Sequence, residues 1–322
     1  MPLRGLLDGW AGGLSVLSVF AVRIEWILKG DAVTRMRGNV LVVAGLLLAG
    51  GAAVRAESLA WTRAHELYQR TDYTGSLAVL VGSGEQDAAA FLLMGQDYYM
   101  LAQYKKASDF LEKAAALAPQ NAECFLWLGR AFGRRAEIAN PFTAPGYASK
   151  ARQNFERSVA LDPGNREAVG DLFDYYLAAP GFLGGGTNKA AALAAQVAER
   201  DPAEGHYYQA RLSEHGKEYD SAEQHLRTAL ELAPRQVGRV IELAKYLSAH
   251  GRSKESDALF EQAEQIAPED PRVIYERASA YVSSRRNLDE ARRLLRRYLQ
   301  APITPSDPPK AEAESMLRKI GA

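Results

Sequence analysis

A rhythm of prolines and small residues restricts this chain more than any other feature of its sequence. Phrases ending in proline close at Pro119 ("ALAP"), Pro163 ("ALDP"), Pro202 ("ERDP"), Pro234 ("ELAP"), Pro268 ("QIAP") and Pro302 ("LQAP"), with successive gaps of 44, 39, 32, 34 and 34 residues. Twelve residues before each of the first five lies a small residue: Ala107, Ala151, Ala190, Ala222 and Ser256. Twelve before three of those lies another, at Gly95, Ala210 and Ala244. The sixth unit carries Ala278 and Ala291 with one extra residue between them. Self-similarity at such a period must be read before any single element, because it decides the architecture.

Helix against helix explains the rhythm. Two antiparallel helices of about a dozen residues approach closely where small side chains meet, with apolar residues at i, i+3, i+4 and i+7 filling the seam. "FLLMGQDYYM" (Phe91 to Met100) predicts a first helix and "ASDFLEKAAAL" (Ala107 to Leu117) its partner. Proline then stops the second helix and turns the chain into the next unit. No stretch alternates apolar and polar residues between turn signals, so a strand reading fails.

A helix-turn-helix unit of about 34 residues with this pattern resembles the tetratricopeptide repeat. Phe91, Gly95, Tyr98, Ala107, Ala114 and Pro119 occupy the family's signature positions in the first clear unit. Ala210, Ala222, Ala229 and Pro234 do so in the fourth, and Ala244, Phe260, Ala263 and Pro268 in the fifth. A degenerate unit from Ser58 to Leu80 precedes them. The resemblance implies an all-α, right-handed superhelical solenoid of about six hairpins over 57–304. The segment 305–322 would add a C-terminal capping helix that starts near Ser306. Such a cap keeps the open end of a solenoid soluble.

The same resemblance implies that first helices line a concave groove holding a partner protein or peptide. Its groove-facing positions fall on Tyr99, Arg130, Tyr207, Arg211, Lys245 and Tyr275. Aromatic and arginine side chains most often anchor such interfaces. The lysine and asparagine clamp that some members use to hold a terminal carboxylate is not visible.

Two units depart from the pattern. Ten extra residues separate Gly129 from Ala151, an insertion at 133–150 around "RRAEIANPFTAPGYASK". About five more lie within "AAPGFLGGGTNKA", an insertion at 178–189, and Phe173 takes the small position of that unit. Both fall between the two helices of a unit, so they are expected to project from one edge. "GFLGGGTNK" lacks the G-x-x-x-x-G-K-[ST] spacing of a phosphate loop and has no preceding strand. It reads as a flexible connector in which Thr187 or Asn188 caps the next helix, and it is expected to tolerate loss of a glycine.

Other chemistry is thin. With 39 basic and 39 acidic residues, the chain has no net field to draw it to nucleic acid. A lone Cys124 excludes an internal disulfide framework and a cysteine-based zinc site. The five His lack H-E-x-x-H spacing, so no metal or cofactor is expected. Arg292, Arg293, Arg296 and Arg297 share a helix with Asp289 and Glu290 and read as a solvated face. Asp171 and Asp174 have nothing nearby to split their acidities into acid and base, and no nucleophile elbow is present. The chain therefore reads as non-catalytic.

The N-terminus suggests export. Val40 to Val54 is an uncharged apolar run of fifteen residues behind Arg35 and Arg37. A membrane span needs about twenty residues and a signal-peptide core about 7–15. The segment 36–56 therefore reads as a signal peptide starting at Met36 and cleaved between Ala56 and Glu57, with an uncleaved inner-membrane anchor as the alternative. Residues 1–35 read as an over-called upstream extension. The resulting expectation is a periplasmic or otherwise exported scaffold of the bacterial cell envelope that binds a partner protein or peptide. The alternative is an envelope transport accessory holding a small ligand near the two insertions.

Overall fold

A computed structural model describes residues 58–321. The apolar run, the expected processing point at Ala56 and Glu57, and the extension at 1–35 lie outside the described residues. Among the described residues there are fifteen α-helices, one short 3-10 turn and no strand. None of these helices is long and apolar enough to cross a membrane.

The helices form seven hairpins. They are α1 (Leu59–Gln69) with α2 (Tyr73–Ser83), α3 (Ala88–Met100) with α4 (Tyr104–Leu117), and α5 (Ala122–Ile138) with α6 (Ala144–Leu161). Next come α7 (Arg166–Ala178) with α8 (Thr187–Ala198), and α9 (Pro202–His215) with α10 (Tyr219–Leu232). The array continues through α11 (Val237–Ala249) with α12 (Ser253–Ile266), and α13 (Pro271–Ser283) with α14 (Leu288–Gln300), before α15 (Lys310–Lys319) closes it. Six hairpins carry the proline and small-residue rhythm. The degenerate unit supplies the seventh, with Ala64 and Ser76 twelve residues apart and both fully buried, but without a closing proline.

Local chemistry marks where first helices begin. Ser58, Asp87, Asn121, Asn165, Asp201 and Asp270 each accept a backbone N–H from the first turn of α1, α3, α5, α7, α9 and α13. Each such cap stabilises its helix by about 1 kcal/mol. In four of the five hairpins without insertions the chain then turns through one left-handed residue, at Thr71, Ala102, Lys217 or Gly251, and in the last through two, Arg285 and Asn287.

Inside each hairpin a small residue on one helix meets a large one on the other. A Cβ on Gly95 would lie 2.4 Å from Leu111, and one on Gly129 would lie 2.6 Å from the Phe155 ring. The same register pairs Ala64 with Leu80, Ala210 with Leu226, Ala244 with Phe260 and Ala278 with Leu295, each pair within one buried cluster. Burying a Leu or Phe side chain fully contributes about 1.5–3 kcal/mol, and the small partner is what allows it to enter.

Several sequence expectations change in detail. Pro202 does not end a helix: it is the first residue of α9, where its missing N–H costs nothing, and Asp201 caps it. The insertion at 133–150 mostly lengthens its helices, α5 to 17 and α6 to 18 residues, against 13 and 14 in the preceding hairpin. Only 139–143 remains as connection, with Phe142 95% exposed at its tip. Ser306 does not cap α15, whose N-cap is Pro309.

The second insertion is a packed turn and not a flexible connector. Residues Gly181–Leu183 form the 3-10 turn, and the Tyr175 hydroxyl donates to the Leu183 carbonyl at 2.9 Å. Gly186 N–H donates to the Tyr176 carbonyl at 2.7 Å. Gly184 (φ +84°) rests against the Arg152 side chain of α6, so the turn touches the helix that the first insertion lengthens. Gly186 itself is the N-cap of α8, and neither Thr187 nor Asn188 makes a side-chain cap.

Candidate functional site: the first-helix face

First helices of successive hairpins touch one another along much of the array (α1 with α3, α3 with α5, α5 with α7, α11 with α13), whereas successive second helices show no comparable packing among the described residues. A row of helices in mutual contact takes the inside of a curve, so the first helices form the inner face. Two hollows open on it. One, of about 1040 Å³, is lined by His65, Tyr68 and Gln69 of α1, Gln96 of α3, Trp127 and Arg130 of α5, and Glu167 of α7. Pro305 and Ser306, from the loop before α15, line the same hollow. The other, of about 700 Å³, is lined by Tyr207 and Arg211 of α9, Glu242 and Lys245 of α11, and Glu276 and Ser279 of α13.

Four of the six expected groove residues therefore reach a hollow: Arg130 the first, and Tyr207, Arg211 and Lys245 the second. Tyr99 lies partly buried between the rings of Tyr104 and Trp127, at centroid distances of 5.5 and 5.4 Å. Tyr275 is 9% exposed and its hydroxyl donates to Glu312 of α15 at 2.7 Å, so the closing helix covers it.

The charged members are tied to the neighbouring repeat. Arg130 bonds Asp171 at 2.5 Å and Glu167 at 2.9 Å, and stacks over Trp127 with 4.8 Å to the ring centroid. Arg211 bonds Asp174 at 2.6 Å. Lys245 bonds Glu276 at 3.3 Å and approaches Glu242 at 3.5 Å. Deepest is the ion pair of Arg239 with Glu204, both side chains 9% exposed. The two acids weighed as a catalytic pair, Asp171 and Asp174, are thus partners of two different arginines.

Electrostatics follow from this pairing. Burial raises the Asp171 pKa, making it a weaker acid, and Arg130 only partly offsets this. Burial would lower Lys245, but Glu242 and Glu276 outweigh it and hold the ammonium above its usual range. Desolvation pushes the Tyr207 phenol up to about 12, so it stays a neutral donor. Arg130, Arg211 and Lys245 each face carboxylates, so none of the three leaves an unbalanced positive pole in the hollows. The remaining chemistry of the inner face is aromatic surface together with polar side chains such as Gln69, which pairs with His65 at 3.1 Å.

Residues that sequence reasoning missed are Trp127, His65, Gln96 and the acids Glu242 and Glu276. A signal for the acids existed. Paired groups lie one repeat apart in sequence: 37 residues for Arg130 with Glu167 and for Asp174 with Arg211, 35 for Glu204 with Arg239, and 31 for Lys245 with Glu276. Arg292 and Arg293 pair with Asp289 and Glu290 within α14, but Arg292 also donates to the Ile320 carbonyl and Arg297 to the Pro268 carbonyl, so the four arginines are not simply a solvated face. Cys124 is buried among apolar neighbours, and desolvation raises its thiol to about 11.

No protein-family model and no curated protein matches the sequence. Solved structures do match. A tetratricopeptide repeat protein from Parabacteroides merdae superposes with a TM-score of 0.51 at 12% identity, covering 82% of this chain and 100% of that one. The chain has the tetratricopeptide-repeat fold. A thermophilic TPR protein from Thermus thermophilus matches at a TM-score of 0.46 and 19% identity, covering 58% of this chain and 97% of that one. The C-terminal part of a TPR repeat-containing protein from Cytophaga hutchinsonii matches at 0.43 and 17%, covering 80% and 99%. At these identities the likeness concerns the tetratricopeptide-repeat fold alone.

Proposed function

We propose that this chain is a non-catalytic interaction scaffold that holds an extended segment of a partner protein along its first-helix face. The observation that carries this reading is the pair of open hollows on that face, each combining aromatic rings with hydrogen-bonding side chains. Trp127, Tyr68 and Tyr207 offer apolar contact at low entropic cost, and the exposed Gln69 amide adds donor and acceptor capacity beside them. The array supplies a long surface, which suits a peptide better than a compact small molecule.

The setting we propose is the cell envelope, supported by the apolar run at Val40–Val54 with basic residues before it. A photo-crosslinking amino acid placed at Trp127 or Tyr207, compared with one at Arg296 of α14, tests the binding face in living cells. The reading requires one discrete crosslinked species from the inner-face positions and none from Arg296. Equal crosslinking from both faces overturns it. Fractionation of the same cells tests the setting separately.

A further inference from the structure

His206 of α9 and His225 of α10 bring their Nδ1 atoms to 3.0 Å across the hairpin. The rings are 5.2 Å apart at the centroids, tilted by 35°, and both residues are half-buried. The register makes the pair unusual. His206 lies four residues before Ala210, and His225 three after Ala222. The same two places hold Phe91 and Phe110 in the second hairpin, their ring centroids 5.9 Å apart. They hold Val169 and Leu193, Val240 and Leu259, and Ile274 and Leu294 in the fourth, sixth and seventh, and Phe125 with Asn154 in the third. Only apolar contact is needed there to close a hairpin, so two imidazoles at this point are not explained by the fold.

We propose that His206 and His225 are the two protein ligands of a site for one divalent transition-metal cation of the zinc type. Imidazole nitrogen suits such ions, at a metal–nitrogen distance of about 2.0–2.1 Å. Two nitrogens on one tetrahedral ion are then about 3.4 Å apart. The Nδ1 atoms, already converging at 3.0 Å, need part by only a few tenths of an ångström to admit it. The ion replaces the single proton the two rings share. No third His, Cys, Asp or Glu joins them among the described residues, so the remaining coordination positions belong to water. The site lies between the helices of a hairpin, where an ion clasps α9 to α10. It is separate from the hollows of the inner face and independent of the scaffold reading.

Calorimetric titration of untagged, full-length protein with Zn²⁺ at neutral pH tests this, alongside the visible absorption of Co²⁺ added in its place. The test variant is His206→Phe with His225→Phe, which rebuilds the Phe91/Phe110 contact and so preserves the hairpin. The expected result is one equivalent bound per chain, weakened about tenfold or more by His206→Ala or His225→Ala alone. It is abolished in the double Phe variant together with the Co²⁺ band. Less than one equivalent bound by the native chain, or unchanged binding in the double Phe variant, overturns the proposal.

Discussion

Phe173 and Ala194 exchange the sizes that facing residues have in every other hairpin. Elsewhere the first helix is small and the second large at this contact, as in Gly95 with Leu111. In the fourth hairpin the bulk sits on α7 and the gap on α8, with both residues fully buried in one cluster. Phe173 also packs on Tyr208 of the next repeat, ring centroids 4.5 Å apart. Phe173→Ala therefore leaves both partners small and opens a cavity, expected to cost about 3–5 kcal/mol. Ala194→Leu alone overpacks the contact and costs about 1–3 kcal/mol. Combined, they restore the arrangement of the other hairpins, so the double variant should be more stable than the sum of the two losses. Chemical denaturation midpoints of the three proteins measure this coupling.

The glycine-rich turn gives a second contrast. A Cβ on Gly185 would fall 1.9 Å from the Ala179 carbonyl oxygen, a backbone atom that cannot swing aside. Gly181 has nothing within 4 Å of its Cβ position. Gly185→Ala should lower stability by more than about 1 kcal/mol, while Gly181→Ala stays within about 0.5 kcal/mol. Removing one glycine from Gly184–Gly186 should be at least as damaging as Gly185→Ala, since the turn's hydrogen bonds to Pro180 and Tyr176 depend on its length. Thermal melts of these variants decide between a packed turn and a slack one.

How much of this was legible in the sequence divides by range. The spacing of Gly95, Ala107 and Pro119 exposed the hairpins because helix packing imposes it within a dozen residues. The first hairpin was harder to register: Ala64 and Ser76 keep the interval, but no proline closes it. The Phe173/Ala194 exchange was half visible, since Phe173 stood out and its compensation on α8 needed the observed register. The inner-face ion pairs escaped because each joins residues about one repeat apart, and sequence alone does not say which of several acids meets Arg130. Tyr275 was placed in the groove because the position of α15 over it depends on the proline-rich loop 301–309.

Glu204 and Arg239 form a buried ion pair between α9 and α11, and Arg239 also lies over the Tyr207 ring with 4.6 Å to its centroid. Arg239→Met strands a buried carboxylate and should cost about 3–5 kcal/mol. Adding Glu204→Leu removes the stranded charge, so most of that loss should return. A double-variant cycle in denaturant reads the difference. If the single and double variants are equally unstable, the pair is not buried as described.

Asp97 gives a pH signature. Its carboxyl is fully buried; the Ser76 hydroxyl donates to Oδ2 at 2.7 Å, and Oδ1 has no hydrogen-bond partner. Burial pushes its pKa up to about 8. The folded protein thus holds a proton that the unfolded chain releases near pH 4, so stability is greatest below that point. It should fall as pH rises through about 8 and level off above. Asp97→Asn keeps the shape without the charge and should flatten this slope. The variant should exceed the native protein by a few kcal/mol at most at the alkaline end, converging with it in acid. Unfolding midpoints across pH for both proteins supply the comparison.

Because first helices touch along the inner row while successive second helices show no comparable packing among the described residues, stretching or bending the array strains one side more than the other. The rungs on that side are ionic, from Arg130 with Asp171 to Lys245 with Glu276, and half-exposed ionic contacts soften as salt rises. The molecule is in this respect a coil spring whose stiffness is set by its surroundings: tight in dilute buffer and more compliant in brine. A guest segment bridging two rungs would feel that compliance directly, since the spacing it must match is the pitch of the spring.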